Sequence, residues 1–126
     1  MGVPAFFDTY AIIEIIKDNP DYKDIARASG ITLKFNLAET YYILRTQYSP
    51  NLADRTFNFV SGFVADVKPD TIKAAMIFRE NFNKKNRKHA LSYADAIGYT
   101  YARENGLDFV TGDDAFKVLD GVRFVK

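Results

Sequence analysis

Apolar residues along the chain come in short runs separated by stretches with helical spacing. The first run, residues 3–7, predicts a buried strand that tolerates Pro4 near its start and ends at Asp8. Ile12, Ile13, Ile15 and Ile16 then supply one face of a helix between Tyr10 and Lys17, which Asn19-Pro20 stops. A second short helix is expected over residues 21–28, ended by Gly30. From Asn36 onward, Leu37, Tyr41, Leu44 and Tyr48 mark a third helix, which Ser49-Pro50 breaks.

A fourth helix is expected over residues 51–60, followed by a strand over 63–67. Pro69-Asp70 opens a helix carried by Ile72, Ala75, Met76 and Phe82. Ser92 begins another, closed near Asn105 by Gly106. Residues 107–111 predict a buried strand, 113–119 a short helix and 122–125 an edge strand. Alternating strands and helices predict an α/β layer structure with a mainly parallel sheet. No repeat, low-complexity tract or linker interrupts the pattern.

Composition narrows the chemistry. With 126 residues, 48% of them hydrophobic and 15% aromatic, the chain has enough apolar material for one core, so a single domain is expected. The absence of cysteine excludes disulfides and thiolate ligands. No uncharged stretch approaches the length of a membrane helix, and a cytoplasmic protein is expected. Lys and Arg total 17 against 16 Asp and Glu, a net charge of +1, so a polyanionic partner would depend on how charge is distributed.

In a parallel α/β sheet, ligands bind beyond the carboxyl ends of the strands, where the following helices begin. Asp8 and Asp113 each follow a predicted strand, and Glu39 and Asp95 fall in expected first turns. Each acid also has a simpler reading. Asn36 to Glu39 and Ser92 to Asp95 have capping-box spacing, and Asp8 and Asp113 suit N-caps. Four carboxylates brought together would repel one another, and a bound cation relieves that repulsion. Oxygen-only ligands favour Mg²⁺ or Mn²⁺. The lone His89, beside Lys88, is expected to be a surface or structural residue.

These residues resemble the motifs of the PIN domain family, in particular its VapC-type toxins. Phe6-Phe7-Asp8-Thr9 looks like the first motif and Asn36-Leu37-Ala38-Glu39 the second. Leu91 to Ala96 resembles the third, and Val110-Thr111-Gly112-Asp113-Asp114-Ala115-Phe116 the fourth. The resemblance implies a three-layer α/β/α fold with about five strands and a metal-dependent ribonuclease. It further implies that Asp8, Glu39, Asp95 and Asp113 bind or orient Mg²⁺ or Mn²⁺, with Thr111 auxiliary. Ser92 of the third motif is auxiliary too, and Asp114 replaces or assists Asp113 as the fourth acid, a place the Thr-x-Asp pattern gives to Asp113. An RNA substrate, a VapB-like protein antitoxin and a homodimer are the partners implied. Cleavage would proceed by hydrolysis, because a carboxylate-held cation can activate water without a protein nucleophile.

Lys84, Lys85, Arg87 and Lys88 form a basic segment just before the third motif. They suit either a solvated helix end or a rim contacting RNA phosphates. Tyr93 is a candidate for base stacking, whereas the other aromatics read mainly as core. The stripe from Leu37 to Tyr48 is expected to pack in the core rather than receive a partner helix. A competing reading is a non-catalytic domain, either a receiver-like domain with a Mg²⁺-binding acidic cluster or an inactive PIN subunit. The receiver pattern fits poorly, since Lys117 falls within a predicted helix.

Overall fold

Five strands form one sheet in the order β3-β2-β1-β4-β5, and every neighbouring pair runs parallel. The computed structural model describes residues 4–126, so Val3 lies outside the described residues. The strands are β1 Ala5–Phe7, β2 Gly30–Leu33, β3 Val64–Ala65, β4 Asp108–Thr111 and β5 Val122–Phe124. The α-helices are α1 Thr9–Ile16, α2 Lys34–Gln47, α3 Pro50–Val60, α4 Pro69–Lys85 and α5 Tyr93–Glu104. Strand β1 is central, with β2 on one side and β4 on the other. Asp8 therefore leaves the sheet where the strand order changes direction, the usual place for a ligand crevice.

Alternation along the strands separates two apolar layers. Phe6, Leu33 and Phe109 pack with Phe82, Ile97, Tyr99 and Phe116, joining the sheet to α4 and α5. Ala5 and Val110 point the other way, onto Ala11, Tyr22 and Ile25. Ile12, Leu37 and Val60 form a third cluster linking α1, α2 and α3. The Phe6 and Phe109 rings stack with centroids 5.4 Å apart, which ties the central strand to its neighbour within the core.

Several expected elements take a different form. The helix expected over 21–28 is two short 3-10 turns, Pro20–Tyr22 and Ile25–Arg27. Gly30 does not simply end it but starts β2, a strand that hydropathy did not reveal because four residues run directly into α2. The strand expected over 63–67 shrinks to Val64–Ala65, preceded by a 3-10 turn that contains Gly62. The helix expected over 113–119 is a 3-10 turn, Asp114–Phe116. The core stripe of α2 holds only in part, since Leu37 and Leu44 are buried and Tyr48 is exposed. Tyr41 instead donates its hydroxyl to Asp54 of α3 at 2.8 Å. No helix among the described residues is long and apolar enough to cross a membrane.

Candidate active site

Asp8 is 2% exposed, and its Oδ1 accepts the Ala11 N–H at 2.9 Å, capping α1. Burial pushes its carboxyl up to about 8, with the Asp95 and Asp113 charges adding to the rise, while the Thr111 hydroxyl and the Ala11 amide hold it down. Asp95 sits in the first turn of α5 within a complete capping box. Ser92 Oγ accepts the Asp95 N–H at 3.1 Å, and Asp95 Oδ2 accepts the Ser92 N–H at 2.9 Å. Its carboxyl rises to about 6, first through burial, with Glu39 and Asp113 contributing against the Ser92 hydrogen bonds.

Asp113 follows β4. Its N–H donates to the buried Thr111 hydroxyl at 3.0 Å, and its Oδ1 accepts from the Ala115 N–H at 3.0 Å. Asp114 has a different partner, Lys126, at 3.0 Å. That hydrogen bond holds the Asp114 carboxyl below the usual range, aided by the charges of Lys126, Lys117 and His89.

Glu39 corrects the first-turn expectation. Helix α2 begins at Lys34 with no side-chain cap, so Asn36 is helical and buried, and no capping box joins it to Glu39. Glu39 lies in the second turn, and its Oε1 accepts the Thr9 hydroxyl of α1 at 2.7 Å. Asn36 Nδ2 donates to the same hydroxyl at 3.3 Å. Sequence reasoning passed over Thr9 and Asn36 as a pair, because they stand 27 residues apart.

The capping and clustering readings are compatible, because each of these hydrogen bonds engages one oxygen of its carboxylate. The charges of Asp95 and Asp113 act on Asp8, and those of Glu39 and Asp113 act on Asp95. Yet among the described residues no three such side chains close into a ready metal clamp. Both observations hold together, since charge acts across gaps wider than a coordination sphere. An all-oxygen donor set, two of whose members are driven toward protonation by burial and like charge, fits a hard divalent cation.

The basic segment ends α4 and continues through the 3-10 turn Arg87–His89, leading into Ser92. Lys84, Lys85, Arg87, Lys88 and His89 are all exposed, and Lys84 pairs with Glu80 at 3.1 Å. The charge of His89 reaches Asp114 of the fourth motif. Tyr93 is 64% exposed, and the Arg79 guanidinium lies 4.4 Å from its ring centroid. Arg79, which the sequence did not single out, is anchored by donating from Nε to the Leu91 carbonyl at 2.8 Å. Lys117 lies over the Phe124 ring at 5.1 Å, on the edge strand.

Solved structures share this fold. A toxin–antitoxin complex from Klebsiella pneumoniae matches with a TM-score of 0.74 and 19% identity, covering 94% of this chain and 95% of that one. A protein from Pyrobaculum aerophilum matches at 0.72 and 18%, covering 99% and 91%. The VapC20 toxin of Mycobacterium tuberculosis, described as cleaving the sarcin–ricin loop, matches at 0.69 and 18%, covering 94% and 98%. A search of curated proteins found no significant match. The family model of the PIN domain matches residues 5–122, from the first strand to the last, and the chain belongs to the PIN domain family.

Proposed function

We infer that the protein is a divalent-metal-dependent endoribonuclease of the VapC-like kind. The observation that carries this reading is the position of the buried Asp8 carboxyl, directly after the central strand, where the Asp95 and Asp113 charges act on it. Asp8, Glu39, Asp95 and Asp113 would hold Mg²⁺ or Mn²⁺ through oxygen alone. When bound, such a cation supplies charge neutralisation for a phosphodiester and acidifies an attacking water. The chain's own part is to hold these carboxylates in place. Three are fixed by caps at helix or turn starts and one by Thr9, while Thr111 donates toward Asp8.

Lys84, Lys85, Arg87 and Lys88 would attract and orient the RNA backbone at the rim. A cognate antitoxin and a second copy of the chain are the protein partners of this reading. An apolar groove of about 270 Å³ between α1, β2 and α3 supports a protein partner, with Ile12, Ile16, Phe59 and Phe63 on its walls. Phe59 is 65% exposed.

A second reading has one observation in its favour. Among the described residues the acids do not close into a ready clamp, which a PIN domain that binds RNA or protein without cutting would not need. Incubating purified protein with total RNA in Mg²⁺, Mn²⁺ or EDTA separates the two. The nuclease cuts at discrete positions only with metal, whereas binding without cleavage in either metal overturns the nuclease reading.

A further inference from the structure

Glu39 is held by a hydrogen-bonded chain that crosses between two elements. Thr9 opens α1 directly after β1, and Asn36 lies in the first turn of α2 directly after β2. Thr9 Oγ1 donates to Glu39 Oε1 at 2.7 Å, and Asn36 Nδ2 donates to Thr9 Oγ1 at 3.3 Å. Thr9 is 9% exposed and Asn36 1%.

The direction of this chain follows from the inventory of donors. A hydroxyl has one proton, and an amide nitrogen only donates. With Asn36 Nδ2 directed at Thr9 Oγ1, the Thr9 proton is committed to Glu39. Asn36 Oδ1 has no hydrogen-bond partner and packs toward Gly98, where an added Cβ would lie 3.6 Å away. Leaving a buried amide oxygen unpaired is costly.

We propose that Thr9 and Asn36 are positioning residues, which fix the Glu39 carboxylate by Oε1 and reserve Oε2 for the divalent cation. This rests on the metal-dependent reading above and assigns it two residues outside the carboxylate set. It also couples the first two motifs mechanically, since the hydroxyl of one holds the acid of the other. Outer partners that orient a ligating carboxylate strengthen the site without touching the metal.

The test is a calorimetric titration of Mn²⁺ into wild type, Thr9→Val, Thr9→Ser and Asn36→Leu, below the unfolding temperature of each. Thr9→Val keeps the shape of the side chain and removes the hydroxyl, and Thr9→Ser restores the hydroxyl alone. The expected result is about tenfold weaker Mn²⁺ binding in Thr9→Val, with Thr9→Ser within about twofold of wild type and Asn36→Leu weaker than wild type. A purely structural role would lower resistance to urea and leave Mn²⁺ affinity of the folded protein intact. Wild-type affinity in Thr9→Val overturns the proposal, as does a Thr9→Ser variant as weak as Thr9→Val. Should Asn36→Leu fail to fold, the two Thr9 variants still decide. A wild type that does not bind Mn²⁺ overturns the metal reading itself, and this inference with it.

Discussion

Lys126 Nζ lies 3.0 Å from Asp114 Oδ1, while among the described residues the neighbouring Asp113 caps the following turn and makes no salt bridge. The exposed Asp114 carboxylate is thus partnered by Lys126, and Asp113 is the one whose charge reaches Asp8 and Asp95. Asp113→Asn should therefore lower RNA cleavage by at least about tenfold more than Asp114→Asn, given what a group acting on the metal or transition state contributes. Rates measured on one RNA substrate under saturating Mn²⁺ check this. The reverse order would transfer the fourth acidic role to Asp114.

Asp8 makes stability depend on pH in an unusual direction. Burial pushes its folded carboxyl up to about 8, against the ordinary 3.8. Between those limits the folded state binds more protons than the unfolded one. The stabilisation is fully present below the unfolded value and is lost as pH rises through about 8. Asp95 acts in the same sense up to about 6. In EDTA the wild type should accordingly lose thermal stability between about pH 5 and 8.5, and Asp8→Asn should lose markedly less. Asn also retains the helix cap, so at pH 8 the variant should melt higher than wild type without metal and gain less from Mg²⁺. Parallel pH profiles for the two proteins would contradict the buried-acid account.

Gly112 separates Thr111 from Asp113, and a Cβ there would meet the Tyr10 ring and the Val125 carbonyl. Val125 donates to the Thr111 carbonyl at 2.8 Å, so displacing it loosens the end of β4. Gly112→Ala should cost about 1–3 kcal/mol, the range for overpacking a filled site. Urea unfolding of the metal-free protein measures it, and an unchanged midpoint would mean that Tyr10 and the C-terminal segment yield freely.

The basic segment predicts a salt effect rather than a rate effect. Replacing Lys84, Lys85, Arg87 and Lys88 with Gln should weaken RNA binding and flatten its dependence on salt, because fewer counterions are released. Cleavage at saturating RNA should change less. Lys84 contributes least, given its pair with Glu80. An unchanged salt slope would make the segment an ordinary solvated helix end.

Much of the architecture was legible because periodicity reports burial. The isoleucines of α1 and the starts of α4 and α5 follow from apolar spacing and from Asp8, Pro69 and Ser92 at their N-termini, whereas Ser49-Pro50, which reads as the end of α2, also caps and opens α3. Strand β2 was not legible, because Gly30 reads as a helix stop and the next three residues merge with α2. Parallel strands this short take their stability from neighbours rather than from their own pattern. At the site, the positions of the acids after strands and at helix starts could be read locally. The Thr9–Glu39 bond and the Arg79–Tyr93 stack could not, since each joins residues from separate elements. For Glu39 the local reading misled, because the helix starts two residues before Asn36 and turns a supposed cap into a buried link.

The most direct test of the carboxylate site is the cleavage rate of a single RNA by wild type, Asp95→Asn and Glu39→Gln at saturating Mn²⁺, with folding verified for each. The account predicts metal-dependent cleavage by wild type and a loss of at least about a hundredfold in both variants, the scale for removing a group that acts on the metal or the transition state. Near-wild-type rates in both folded variants would contradict it.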